Sequence, residues 1–520
     1  MKSIFIKKIN ALTAIVLSAA LILSLAGCGN AVGENWLASP AGTSESPSSV
    51  AASSAAGKSF EPSGLTSSSA ESAGSKAESI AASSNASSSS AAKPAQKQAP
   101  AIPASDTKAA DTAVKKITED KAAADTPRLK VIRSTALAAG YTHIDQRGGY
   151  NALPDLVSRS LYSQISKSAY QVAATATSQG YYPTQRVTVS GTQLSEAQLR
   201  MALVAFMNDN PQVFWIANVY SYGYSPDGKD TYVQLYSFVP QSQCNTMVQQ
   251  LNNKVTAIMK EMPSGLSELD RELYLFDYIT KTNTYDKAAV TDTSRWKSFN
   301  AYGALIEGNV VCEGYSRAMQ LLSSYANLQC LLVTGQGGNV NHMWNIIRID
   351  GNWYHLDITW SDNSSVLYNF FNVTDTVIMQ GHTVSPLAST LSEAEIEGAN
   401  GGEPIQFNLV LPPCTSTDAN YFKAKGIRVT DLNGTDDPVV VAAVVSAAKQ
   451  KKQSVSFYVN ETADFDSVLA GMIQASPYKL AYYLNTANTQ SGAANQINIS
   501  EVRYVSDQAY RGLTVFLSYK

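Results

Sequence analysis

Asp350 and Gly351 join two alternating runs, His342 to Ile349 and Asn352 to Thr359. An Asp-Gly pair between such runs is the strongest short-range signal for a two-residue hairpin, because both central positions of that turn need φ above zero. Such a turn fixes the register. Ile349 faces Asn352, Trp344 faces Asp357, and His342 faces Thr359. His342 and Asp357 then become diagonal neighbours on one face, about 7 to 8 Å apart at the backbone. His355 joins them on that face, opposite Ile346. A three-residue turn would shift the pairing by one and send His342 and Asp357 to opposite faces.

Upstream of the hairpin, Tyr315, Ala318, Met319, Leu322 and Tyr325 repeat at helical spacing and place Cys312 in the first turn of a buried helix. Unpaired backbone amides and the helix dipole favour a thiolate there. By residue type alone Cys312 reads as a small buried structural residue. Its companions change that reading. Cys, His and Asp in this order are the parts of an acyl-transfer site: a nucleophile, the base that activates it and the carboxylate that orients the base. His355 is a rival base, although a lone strand histidine more often orients or packs, and that role is assigned to it. A zinc site of Cys312, His342, His355 and Asp357 is disfavoured, since the ligands lack the short paired spacing of familiar zinc sites.

The segments Val311-Cys312-Glu313-Gly314-Tyr315, His342-Met343-Trp344-Asn345 and Trp353-Tyr354-His355-Leu356-Asp357-Ile358-Thr359-Trp360 together resemble the transglutaminase-like superfamily, in its bacterial extracytoplasmic lipoprotein branch. The segment Tyr368 to Asp375 resembles the stretch after the aspartate strand in members of that family, and His382 sits where they often carry another histidine. The resemblance covers Ser267 to Thr383 well, the region before it loosely, and the C-terminal part not at all. It implies an α+β, papain-like core with the cysteine helix packed on an antiparallel sheet, Cys312 as nucleophile, His342 as general base and Asp357 as the residue that fixes its tautomer. Trp344, His355 and Tyr315 are supporting residues. Cys312 and His342 stand 30 positions apart, whereas papain-type enzymes separate the pair by well over 100.

The implied reaction is attack of the Cys312 thiolate on a carboxamide or peptide carbonyl, leaving a thioester for water or an amine. The backbone amide of Cys312 is one oxyanion donor. No cofactor is called for, and no EF-hand-like loop supports the calcium dependence of mammalian members. A peptidase or amidase acting on cell-wall-associated protein or peptide is the first reading. An amine-transferring crosslinker is the second, and a non-catalytic binding or scaffolding lipoprotein the third, because fold does not imply function.

At 520 residues the chain is too long for one core. Lys2, Lys7 and Lys8 precede an apolar run from Ala11 to Leu25, which reads as a secretory signal over residues 1–27. Leu25-Ala26-Gly27-Cys28 resembles a lipobox, which implies lipidation at Cys28 and a lipid anchor on the outer side of a bacterial cell membrane. Residues 28–128 are Ser, Ala, Pro and Lys with hardly an aromatic, a composition that cannot offset its ordering entropy. As a coil of roughly 100 residues this tether would span about 60 Å. Residues 129–262 form an accessory α/β region, 263–400 the core and 401–520 a small α/β module. In that module Asp437 caps a helix, Val455 to Val459 is a strand, Asp464 to Ala475 a helix, and three strands end the chain. Cys244, Cys330 and Cys414 read as buried or incidental thiols. A formal net charge of -3 with no clustered basic face excludes nucleic acid as a partner; Lys449, Lys451 and Lys452 complement a helix C-terminus instead.

Overall fold

The computed structural model describes residues 140–292, 294–397 and 406–520. The signal segment, Cys28 and the tether lie outside the described residues. No helix among the described residues is long and apolar enough to cross a membrane.

The first part is built from helices α1 (Leu156–Ser168) and α2 (Glu196–Asp209) and a small antiparallel sheet of β1 (Tyr182–Pro183), β2 (Val187–Val189), β3 (Ile216–Tyr224) and β4 (Thr231–Ser237). α2 starts at a capping box. The Ser195 hydroxyl accepts from the Gln198 amide while the Gln198 side chain accepts from the Ser195 backbone N–H, satisfying two donors that a helix start leaves open. Helices α3 (Gln241–Glu261) and α4 (Glu268–Thr282) come next, the latter capped by Ser267.

The central layer sets α5 (Cys312–Tyr325) against a five-stranded antiparallel sheet. Its strands are β5 (Cys330–Gly337), β6 (Val340–Ile349), β7 (Asn352–Leu356), β8 (Phe371–Val373) and β9 (His382–Val384), in the order β8-β7-β6-β5-β9. Every residue of α5 is buried, because both of its sides are covered. Towards the sheet, the Ser316 hydroxyl donates to the Met343 carbonyl at 3.0 Å and the Asn345 amide to the Ser316 carbonyl at 3.1 Å. Towards the first part, Arg317 ion-pairs with Glu313 at 2.7 Å and donates to the Met207 carbonyl at 2.7 Å. One apolar cluster runs from Tyr141 through α1 to α5 and on to Phe371, so the accessory helices and the cysteine helix share a core. The fold is α+β, with a helix-on-sheet core of the papain-like kind.

The Asp350-Gly351 turn has the expected positive φ at both positions, 48° and 89°, and pairs Ile349 with Asn352. The pairing stops earlier than expected. It ends at Asn345 opposite Leu356, so Trp344 does not face Asp357, nor His342 Thr359. Asp357 instead caps a short helix, Ile358–Ser361, its carboxylate accepting from the Trp360 amide at 3.0 Å. An aspartate that can satisfy the amides of the next turn favours a helix start over strand continuation.

In the last part, β10 (Ile427–Val429), β11 (Ser454–Val459), β12 (Arg503–Asp507) and β13 (Gly512–Phe516) make a sheet ordered β10-β11-β13-β12, parallel only between β10 and β11. Helices α6 (Asp437–Lys449), α7 (Phe465–Ile473) and α8 (Lys479–Ser491) complete it. Two expectations are corrected. Asp436, not Asp437, precedes α6, and α8 with two strands takes the place of three strands. α8 reads Lys-Leu-Ala-Tyr-Tyr-Leu-Asn, a run whose aromatics suggest a strand until Leu480, Tyr483, Leu484 and Ala487 are buried together at helical spacing. This part meets the central sheet through Phe422, Tyr458 and Tyr510, which cluster with Val333, Trp344, Ile346 and Val373.

Candidate active site

Three elements deliver the key side chains. α5 begins at Cys312, β6 carries His342 near its start, and the end of β7 turns at Asp357. The helix start comes in close because of Gly314, where a Cβ would lie 2.5 Å from the Val310 side chain and 2.7 Å from the Ser298 carbonyl. His342 Nε2 lies 2.7 Å from Asp357 Oδ2, and the Cys312 thiol is hydrogen-bonded to the same imidazole. With Nε2 committed to the carboxylate, Nδ1 is the nitrogen left for the thiol. The hairpin register fails beyond Leu356, yet the contact it predicted is made, because the cap keeps Asp357 on the same side of the sheet.

Asp357 is shared. Its Oδ2 also lies 2.9 Å from His382 Nε2, its Oδ1 accepts from the Trp360 amide, and its backbone N–H donates to the Phe370 carbonyl at 3.0 Å. Burial alone would raise its pKa, but the two imidazoles hold the carboxyl well below the usual range. Burial likewise works against a charged His342; the Asp357 carboxylate and the hydrogen bonds to Asp357 and Cys312 overcome it and raise its pKa. For His382 burial wins, and its pKa falls. His342 is therefore the imidazole held ready to carry a proton beside the thiol.

The site is closed. Cys312, His342 and Asp357 are each 0% exposed. Leu332, Met343 and the half-buried Tyr285 pack on Cys312. Trp344 stacks on the His342 ring at 5.9 Å between centroids and meets His382 edge-on at 4.9 Å, while Trp360 lies 4.1 Å from His382. A cavity of about 590 Å³ exists, but at the far end of α5, lined by His143, Arg147, Tyr162, Asp209, Ser324 and Tyr325, away from the thiol.

The supporting residues are placed unevenly. Trp344 is at the site. Both ring nitrogens of His355 are engaged elsewhere: its Nδ1 accepts from Trp344 Nε1 at 2.9 Å and its Nε2 faces Asp375 Oδ1 at 2.9 Å. The Tyr315 hydroxyl donates to Asp362 at 2.5 Å, so it anchors the chain after Asp357. The zinc set weighed from sequence is not brought together. Among the described residues the groups close enough for a metal are His342-Asp357-His382 and His355-Asp375-Cys414, and neither contains Cys312. Cys244, Cys330 and Cys414 are free and buried, and burial raises the pKa of each, that of Cys244 to about 12. The residue that sequence reasoning left without a role is His382. It lies 25 positions beyond Asp357, across turns that set no register, and only the family resemblance pointed to it.

Residues 256–358 match the family model of the transglutaminase-like superfamily. The kyphoscoliosis peptidase of Mus musculus is 27% identical over 122 residues, covering 21% of this chain and 18% of that protein. Its Homo sapiens counterpart is 27% identical over 106 residues, covering 18% and 16%. The chain thus spans less than a fifth of the length of these relatives. A solved structure titled as the crystal structure of a TGase aligns at 15% identity and a TM-score of 0.20, over 34% of this chain and 50% of its own. With Cys312, His342 and Asp357 all inside the matched stretch, this chain carries a transglutaminase-like superfamily domain.

Proposed function

We propose that this protein is a surface-anchored, transglutaminase-like cysteine enzyme that forms a thioester at a protein or peptide amide carbonyl and hydrolyses cell-wall-associated substrates. The observation that carries the reading is the buried line Cys312–His342–Asp357, with Nε2 of the imidazole 2.7 Å from the carboxylate and the thiol hydrogen-bonded to the same ring. A cysteine placed only to fill space would gain nothing from a charged pair held out of water, which is costly to bury. The family match and the peptidase name of the two relatives support the reaction class. The lipobox-like Leu25 to Cys28 supports the anchor.

The steps come from the atoms present. The thiolate adds to the carbonyl carbon, and the negative oxygen faces the Cys312 backbone amide at the start of α5. The C–N bond breaks as His342 gives its proton to the leaving amine. In the second half His342 takes a proton from water, hydroxide adds to the thioester, the S–C bond breaks, and the proton returns to the sulfur. An amine in place of water gives the crosslinking outcome by the same first half. Because Cys312 is sealed from solvent, substrate reaches Sγ only when side chains packed over it, such as Leu332, Met343 or Tyr285, move aside.

The test is labelling of the purified protein with an amide and peptide library carrying a thiol-reactive warhead, comparing wild type with Cys312→Ala. Labelling confined to Cys312 supports the reading and reports specificity. Equal labelling of the variant, or faster reaction at Cys244, Cys330 or Cys414, overturns it.

A further inference from the structure

Beside the first pair the central sheet carries a second histidine–carboxylate pair, its histidine buried and its carboxylate partly open to solvent. Trp344 Nε1 donates to His355 Nδ1 at 2.9 Å, and His355 Nε2 lies 2.9 Å from Asp375 Oδ1. Asp375 is itself fixed by Cys414: its Oδ2 accepts from the Cys414 amide at 2.9 Å, and its own amide donates to the Cys414 carbonyl at 2.8 Å. His355, Asp375 and Cys414 are close enough to suggest a metal site, but the hydrogen bonds argue otherwise. An indole N–H only donates, so Nδ1 of His355 must be the acceptor and Nε2 must carry the ring proton. A metal on Nε2 would need that proton gone from both nitrogens. Nε2–H has a better partner in the Asp375 carboxylate.

The same bonds orient Trp344. Its indole is 0% exposed and packs on both histidines of Asp357, stacking on His342 and meeting His382 edge-on. Gly335 leaves the space for it, since a Cβ there would lie 2.9 Å from the indole. Apolar packing sets where a ring sits but tolerates rotation about its own axis. A single directional N–H bond to a fixed acceptor removes that freedom.

We infer that His355 and Asp375 are positioning residues for the acyl-transfer site: the Asp375–His355 pair locks the Trp344 indole, and the locked indole holds the His342 ring against Cys312. This rests on Cys312 being the nucleophile, as proposed above. The arrangement is a carboxylate–histidine–indole series that ends where the Asp357–His342–Cys312 series begins, so the two pairs meet at the stacked rings.

The test reads the alkylation rate of Cys312 by iodoacetamide, monitored by mass spectrometry on the purified full chain, together with thermal melts. Three variants are compared with wild type. His355→Leu removes the acceptor and should slow Cys312 alkylation by roughly ten- to a hundredfold, the scale on which small misplacement is felt. His355→Asn keeps an oxygen where Nδ1 accepts and should recover most of the rate, which a loss of packing alone would not. Trp344→Phe keeps an aromatic face but deletes the donor together with part of the indole, and should slow at least as much as His355→Leu; an unslowed rate would overturn the inference even if His355→Leu does not fold. A reactive wild-type Cys312 with an unslowed Trp344→Phe, or equal slowing in His355→Leu and His355→Asn, overturns this inference alone. An unreactive wild-type Cys312 overturns the nucleophile assignment and this inference with it.

Discussion

The central and C-terminal sheets are close in size and opposite in what they bury. The central one encloses His342, Asn345, His355, Asp357 and His382. Most of their polar atoms are tied into a network that reaches from Cys312 to Asp375. The C-terminal one encloses mainly Val455, Phe457, Val459, Leu513 and Val515; its buried hydroxyls Ser456 and Thr514 bond to each other at 3.0 Å, and the carboxylate of Asp507, at its edge, accepts from Asn369 and the Tyr510 amide. A buried charge costs far more than it returns unless it is paired and hydrogen-bonded. A fold needs only the second arrangement for stability. The first arrangement is the one the proposed chemistry requires, and it is confined to one layer of the molecule.

The sharpest way to break the contrast is His342→Ala. It should reduce acylation at Cys312 by about 10³-fold or more, measured by mass spectrometry with a warhead peptide, leaving what binding and the backbone oxyanion donor supply. Near-wild-type acylation would mean that the central network is structural after all.

A smaller effect tests the charge state. The His342 pKa is raised, so the stability it contributes is complete below its unfolded pKa of about 6.5 and is lost as pH rises through the folded value. The Asp357 pKa is depressed, so its contribution is complete above its unfolded pKa of about 3.9 and is lost as pH falls through the folded value. The melting temperature of wild type should therefore exceed that of Asp357→Asn by most in the neutral window. The gap should narrow towards strong acid and towards strong base. A pH-independent gap would remove the ion pair from the account.

The least effect on reactivity is expected from Phe457→Ala, in the other sheet. Phe457 is 0% exposed, and truncating it should cost about 3 to 5 kcal/mol by denaturant unfolding. The folded variant should alkylate at Cys312 as wild type does. A large loss of rate in the folded protein would show that the C-terminal layer supports the site through Tyr458 and Tyr510.

The parts of the site that were legible are those governed by local rules. The helix start at Cys312 comes from periodicity, and the placement of His342 and Asp357 on one side from a two-residue turn that Asp-Gly favours. Local rules also misled. The alternation through Asp357 to Thr359 read as strand, while the competing preference of aspartate to cap a helix decided the backbone. α8 was lost because an aromatic run fits either period until its buried face is known.

By itself the sequence determined the order of Cys312, His342 and Asp357, the proposed nucleophile, base and orienting carboxylate, and the two local geometries that present them, because a helix start and a two-residue turn are set by neighbours in the chain. Only the tertiary structure decided that His382 shares Asp357 Oδ2, that His355 serves Trp344 instead of Cys312, that Tyr315 holds Asp362, and that the thiol is closed from solvent. Those outcomes depend on which segments meet across β5 to β9 and on how lone pairs and protons are divided where they meet. No spacing along the chain encodes that division. It is settled when buried donors and acceptors must find partners among whatever the packing brings within reach.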